Sequence, residues 1–160
     1  MTKFIQNSRQ VLLGLFSIML GIFVYIAFRP SWQTACIPEI TYLNWSKFQY
    51  LTERMYNLPS FLHIFGFSLL TAGVVSQKKW TFLIICGSWL FVNLLFEFLQ
   101  TNATYNWLHD ISINHENLNP ILHWFQSYSL HGIFDPKDIL ALFSGAMLAY
   151  VFMVKTNKGD

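Results

Sequence analysis

Residues 80–100 read WTFLIICGSWLFVNLLFEFLQ. This run of about twenty residues is overwhelmingly apolar and long enough to cross a bilayer as a helix. One carboxylate, Glu97, sits near its C-terminal end. Asn93, Glu97 and Gln100 follow at i, i+4 and i+7, so all three project from one face. A charge inside a membrane-spanning segment is costly, and is tolerated mainly where it faces a protein interior or a water-filled cavity. The competing reading places Glu97 at headgroup level, where it snorkels or pins a neighbouring helix. The remaining segments are read by what they bring to that face.

The composition sets the class. Of 160 residues, 54% are hydrophobic and 18% aromatic, and only 11% are charged, with a mean hydropathy of +0.39. An ordinary soluble domain carries about 25% charged residues, so the chain reads as a single integral membrane domain over residues 1–160. The net charge is +2, and the ten basic residues form no cluster beyond Lys78-Lys79. That excludes a basic nucleic-acid patch, and no nucleic-acid partner is expected. Sixteen Phe, seven Tyr and six Trp suit lipid-facing surfaces and interfacial belts. Cys86 falls inside the 80–100 helix and Cys36 in a connection, which predicts neither a disulfide nor a zinc site.

Before that helix, residues 11–28 form an uncharged apolar run preceded by Lys3 and Arg9. A signal peptide shares that outline, but the run is long for one and lacks a cleavage site, so it is predicted to be a first, uncleaved spanning helix. Ser17 and Gly21, four apart, permit close helix packing. Residues 30–59 mix Trp32, Tyr42, Trp45, Tyr50 and Tyr56 with Lys47, Glu53 and Arg54, as an interfacial hairpin or surface helix would. Asn57-Leu58-Pro59-Ser60 gives a helix start. The second helix, about 59–76, carries His63 early and a small-residue stripe at Gly66 and Gly73. With about 80–100 as the third, the two form an antiparallel hairpin.

After the third helix, residues 101–137 make a long polar connection, with a predicted amphipathic interfacial helix over 118–130. Asp135-Pro136 then reads as an N-cap followed by Pro at the first helical position. The fourth helix, about 138–154, presents Ala141, Gly145 and Ala149 every four residues as a packing face. The predicted fold is thus all-α: four transmembrane helices with two outer interfacial loops.

The terminal segments and the 77–79 turn hold Lys3, Arg9, Lys78, Lys79, Lys155 and Lys158, whereas the two longer loops hold Arg29, Lys47, Arg54 and Lys137. The positive-inside rule therefore expects both termini in the cytoplasm. His63, Glu97, Gln100, Asp135 and Asp138 then converge near the outer surface. His63, Glu97 and Asp138 are the candidate catalytic groups, and Asn93, Gln100 and Asp135 the candidate binding groups. Taken singly, Asp135 is explained as a cap, and His63 and Gln100 as interfacial hydrogen-bonders.

Three chemistries fit such a set. Clustered carboxylates beside a histidine suit general acid–base work. Glu97, the aspartates and His63 offer a divalent cation oxygen-rich ligation, better for magnesium or calcium than zinc. An acidic, amide-lined mouth suits recognition of a polar headgroup or sugar without chemistry. No other cofactor is predicted, because no phosphate-cradling glycine loop, nucleophile elbow or Cys–His arrangement occurs.

Leu58-Pro59-Ser60-x-x-His63, then Glu97-x-x-Gln100, then Gly132-x-x-Asp135-x-x-Asp138-x-x-Ala141-x-x-x-Gly145 resembles the VanZ-like family of small bacterial membrane proteins. The resemblance covers about residues 58–150 and maps the family's pattern onto His63, Glu97, Gln100 and Asp138. Where the family often has Asn four residues after that Asp, this chain has Leu142, and its 101–131 insert is longer than the pattern suggests. The family's name derives from resistance to the glycopeptide teicoplanin. The resemblance implies a multi-pass protein of the bacterial cytoplasmic membrane with a role in the cell envelope. It would bind or act on a lipid-linked or cell-wall envelope component at the outer leaflet. The alternative is a non-catalytic subunit that docks a partner protein in a larger envelope complex.

Overall fold

The computed structural model describes residues 7–28, 55–75, 78–101, 103–104, 106–107 and 134–157. Four helices account for most of them: α1 (Ser8–Phe28), α2 (Leu58–Val75), α3 (Lys79–Leu99) and α4 (Pro136–Thr156). All four are long and apolar enough to cross a membrane. At 1.5 Å per residue they run about 27–32 Å, the thickness of a bilayer's hydrocarbon core. Of the interfacial segment expected over 30–59, residues 30–54 lie outside the described residues, as do the segment expected over 118–130 and Cys36.

Helix ends follow local chemistry. α1 begins at Ser8, three residues before the apolar run, because Asn7 caps it: its Oδ1 accepts from the Gln10 backbone N–H at 3.4 Å. The polar letters of residues 7–10 disguise that start. At α4, the Asp135 side chain accepts from the Lys137 backbone N–H at 2.9 Å, with Pro136 in the first turn. That cap starts α4 two residues before the expected 138.

α2 is the hub. Each of the other helices packs on it, α1 most extensively and then α4, while α3 leans on both α4 and α2. The apolar run at 80–100 announces the membrane, yet its helix is the least covered, burying only Phe82, Ile85 and Cys86. α2 buries nine residues around its circumference, Leu62, Ile64, Phe65, Ser68 and Leu69 among them. Glycines set the separation at its two main contacts. A Cβ on Gly14 would lie 2.7 Å from the Gly66 carbonyl oxygen, and one on Gly145 would lie 2.7 Å from the Phe61 carbonyl oxygen. Backbone meets backbone at both crossings, the arrangement small residues permit where lipid offers no hydrophobic drive to association.

The core lies along α2, α3 and α4. Phe65, Leu69 and Ala72 pack against Phe82, Ile85 and Cys86 and against Ala149 and Met153. A second cluster joins Ile64 to Leu142 and Ala146 under Trp89, Leu90 and Leu94. Trp89 ties α3 to α2 twice, stacking on Phe67 at 4.7 Å and donating its indole N–H to Thr71 Oγ1 at 3.0 Å. Leu12, Phe16, Met19 and Phe23 on α1, and Ile84, Phe91, Leu95 and Phe98 on α3, face outward. They form the surface a lipid bilayer covers.

The start of α1 and the end of α4 meet at one end of the bundle. Gln10, fully buried, donates its amide to Thr156 Oγ1 at 2.9 Å. Asn7 donates its side-chain amide to the Thr156 carbonyl at 3.1 Å and its backbone N–H to the Gly73 carbonyl at 2.9 Å. The helices therefore alternate in direction, and the end of α1, the start of α2, the end of α3 and the start of α4 share the opposite end.

Candidate functional site

That opposite end holds a cleft of about 230 Å³. Tyr25 from α1, Pro59, Ser60 and His63 from α2, Asn93, Phe96, Glu97 and Gln100 from α3, and Leu142 from α4 line it. Four of the sequence-derived candidates, His63, Asn93, Glu97 and Gln100, are thus brought to one wall-to-wall space. Glu97 is half-buried, and its Oε2 is sealed from solvent. Asn93 donates its side-chain amide to the Trp89 carbonyl at 2.8 Å, one turn back on its own helix. The His63 ring lies against α1 over Gly21, where an added Cβ would approach its Cδ2 to 3.0 Å, and is tilted against Phe67 at 6.2 Å.

Asp135 and Asp138 are not in the lining. Asp138 is 2% exposed, one helical turn from Leu142, and stands behind Ser60. Its Oδ1 accepts from Ser60 Oγ at 2.7 Å and from the Asn57 amide at 3.0 Å. The same Asn57 Nδ2 also reaches Asp135 Oδ2, at 3.1 Å. One amide therefore bridges both aspartates, and one hydroxyl joins the buried aspartate to the cleft. Asp135, outside the spanning segment, is pushed up by partial burial. The Lys137 N–H, the Asn57 amide and the Lys137 charge together outweigh that and leave its carboxyl below the ordinary value. Among the described residues no three His, Cys, Asp or Glu side chains gather as a metal-binding group.

Tyr25, Ser60, Phe96 and the bridging Asn57 were not legible as site residues. Asn57 and Ser60 read as helix-start punctuation, and their spacing of three carried the only hint that both would face one partner. Tyr25 and Phe96 are two aromatics among many in an aromatic-rich chain.

Fold and cleft together define a class: a small, multi-pass, all-helical membrane protein with a polar cleft at the bundle end opposite its N-terminal cap. No family profile, curated protein or solved structure matches the chain.

Proposed function

We propose that this is a VanZ-like protein of the bacterial cytoplasmic membrane whose cleft binds, or acts on, a lipid-linked or cell-wall component at the outer leaflet. One observation carries the reading: His63, Asn93, Glu97 and Gln100, drawn from two helices, line a single cleft at the end of the bundle. Intramembrane ionisable groups are expensive, and facing a shared cavity is the arrangement in which they are used. The excess of Lys and Arg in the terminal segments orients that end outward. The concave, polar and partly aromatic lining suits a headgroup at the membrane surface better than a flat protein partner.

The test pairs abundance with phenotype. Glu97→Gln keeps the shape and removes the charge, so the variant is expected to insert at wild-type levels while its teicoplanin-susceptibility phenotype is lost. Asp138→Asn is expected to follow it, whereas Asp135→Asn keeps the cap and the phenotype. A normal phenotype from abundant Glu97→Gln protein removes this reading and leaves the docking subunit in its place.

A further inference from the structure

The hydrogen bonds already made around the cleft decide which chemistry it still offers. Ser60 spends its only proton on Asp138 Oδ1, so toward the cleft its Oγ presents lone pairs. Asn93 spends one amide N–H on the Trp89 carbonyl, which leaves its Oδ1 acceptor and its second N–H. Glu97 lines the cleft and is acceptor-only when ionised. Acceptors are thus contributed from α2 and from two successive turns of α3. The Asp138 carboxyl behind Ser60 adds negative potential to the same wall, and no Lys or Arg occurs among the described residues lining the cleft. Tyr25 and Phe96 add aromatic rings to the lining, a residue type whose faces attract cations.

We infer that the cleft recognises a protonated primary amine. An ammonium brings three donors and one positive charge to a carboxylate-bearing space whose described lining holds no Lys or Arg, where a phosphate would meet like charge. The volume of about 230 Å³ falls below the roughly 300–1,000 Å³ of sites that enclose drug-sized ligands, and so admits a headgroup and not a whole envelope precursor. The inference deepens the proposed function and rests on it: the polar component bound there is an amine. That amine has two sources, an aminophospholipid headgroup or an amino group carried by a cell-wall component.

The full chain, purified in a polyoxyethylene detergent that carries neither amine nor sugar, is titrated calorimetrically with hexylamine, hexanol, N-hexylacetamide and hexyl phosphate at pH 7. Hexylamine is expected to bind, and the acetylated, neutral and anionic probes to bind at least about tenfold more weakly, the usual weight of a charge-assisted contact. Glu97→Gln is expected to lose a similar factor for hexylamine alone. Asn93→Leu, which deletes one acceptor on a lipid-compatible helix, weakens hexylamine in the same sense and serves if Glu97→Gln does not purify as a folded protein. Added phosphatidylethanolamine that competes with hexylamine, where phosphatidylglycerol does not, assigns the amine to the lipid. Failure of that lipid to compete assigns it to a cell-wall component. Equal binding of hexanol or N-hexylacetamide, or wild-type hexylamine affinity in both variants, overturns the inference. Binding of hexyl phosphate with no binding of hexylamine overturns the amine but leaves the envelope reading standing. Binding of no probe by folded protein overturns the amine, while the teicoplanin phenotype judges the wider reading separately.

Discussion

Asn57 holds two carboxyl groups with one nitrogen, and Ser60 holds one of the same two with its hydroxyl. Asp138 is too deeply buried to replace either donor with bulk water, so each deletion leaves an under-satisfied acceptor. Ser60→Ala and Asn57→Ala are each expected to cost about 1–3 kcal/mol, read as a fall in thermal midpoint in detergent. Asp135 behaves differently because it is more accessible. Its folded carboxyl lies below the ordinary value, so its contribution is present above the unfolded pKa and drains away as pH falls through the folded one. Asp135→Asn should keep the cap yet flatten the acid limb of a stability–pH profile, and an unchanged limb would contradict this assignment. The cap was legible from Asp-Pro alone, since a short acceptor before Pro is a local signal. The bridge was not, because Asn57 and Asp138 are 81 residues apart, and periodicity within one helix says nothing about which partner a polar side chain finds.

At the scale of the helix, glycines separate contacts that matter from one that does not. A Cβ at Gly145 would stand 2.6 Å from Ile64 Cγ2 and 2.7 Å from the Phe61 carbonyl, and backbone cannot swing aside. Gly145→Ala should therefore push α4 off α2 and destabilise by about 1–3 kcal/mol, straining the Ser60–Asp138 contact with it. Gly87 has open space where its Cβ would go. Gly87→Ala should be neutral or gain up to about 1 kcal/mol from helix propensity, and comparing the two melting curves checks both. The existence of all four helices was legible, because long and largely apolar runs admit few other readings, whereas the starts of α1 and α4 were hidden by their polar caps. Their ranking was not legible either. The long apolar run at 80–100 supplies the most lipid-exposed helix, while the hub is α2, whose glycines permit close approach.

For the whole molecule, the meeting of Asn7 and Gln10 with Thr156 fixes the start of α1 and the end of α4 at the same end. With the Lys and Arg distribution, that end is expected in the cytoplasm. A phosphatase fused after Asp160 should be inactive, and an active fusion would turn the cleft to the wrong side of the membrane. The site was legible at the level of which helix ends carry polar groups, since alternating direction alone sends His63, Glu97 and Asp138 to one end. Which of them would line the cleft and which would stand behind it depends on side-chain partners on other helices.

The meeting of Gln10 with Thr156 also sets a clock. The two residues are 146 positions apart, and synthesis proceeds at about 5–20 residues per second, so roughly 7–30 s separate the emergence of one from the other. Throughout that interval α1 is in or near the membrane while its α4 partner has yet to be made. Closure of this end must therefore wait for α4, although half of it belongs to α1.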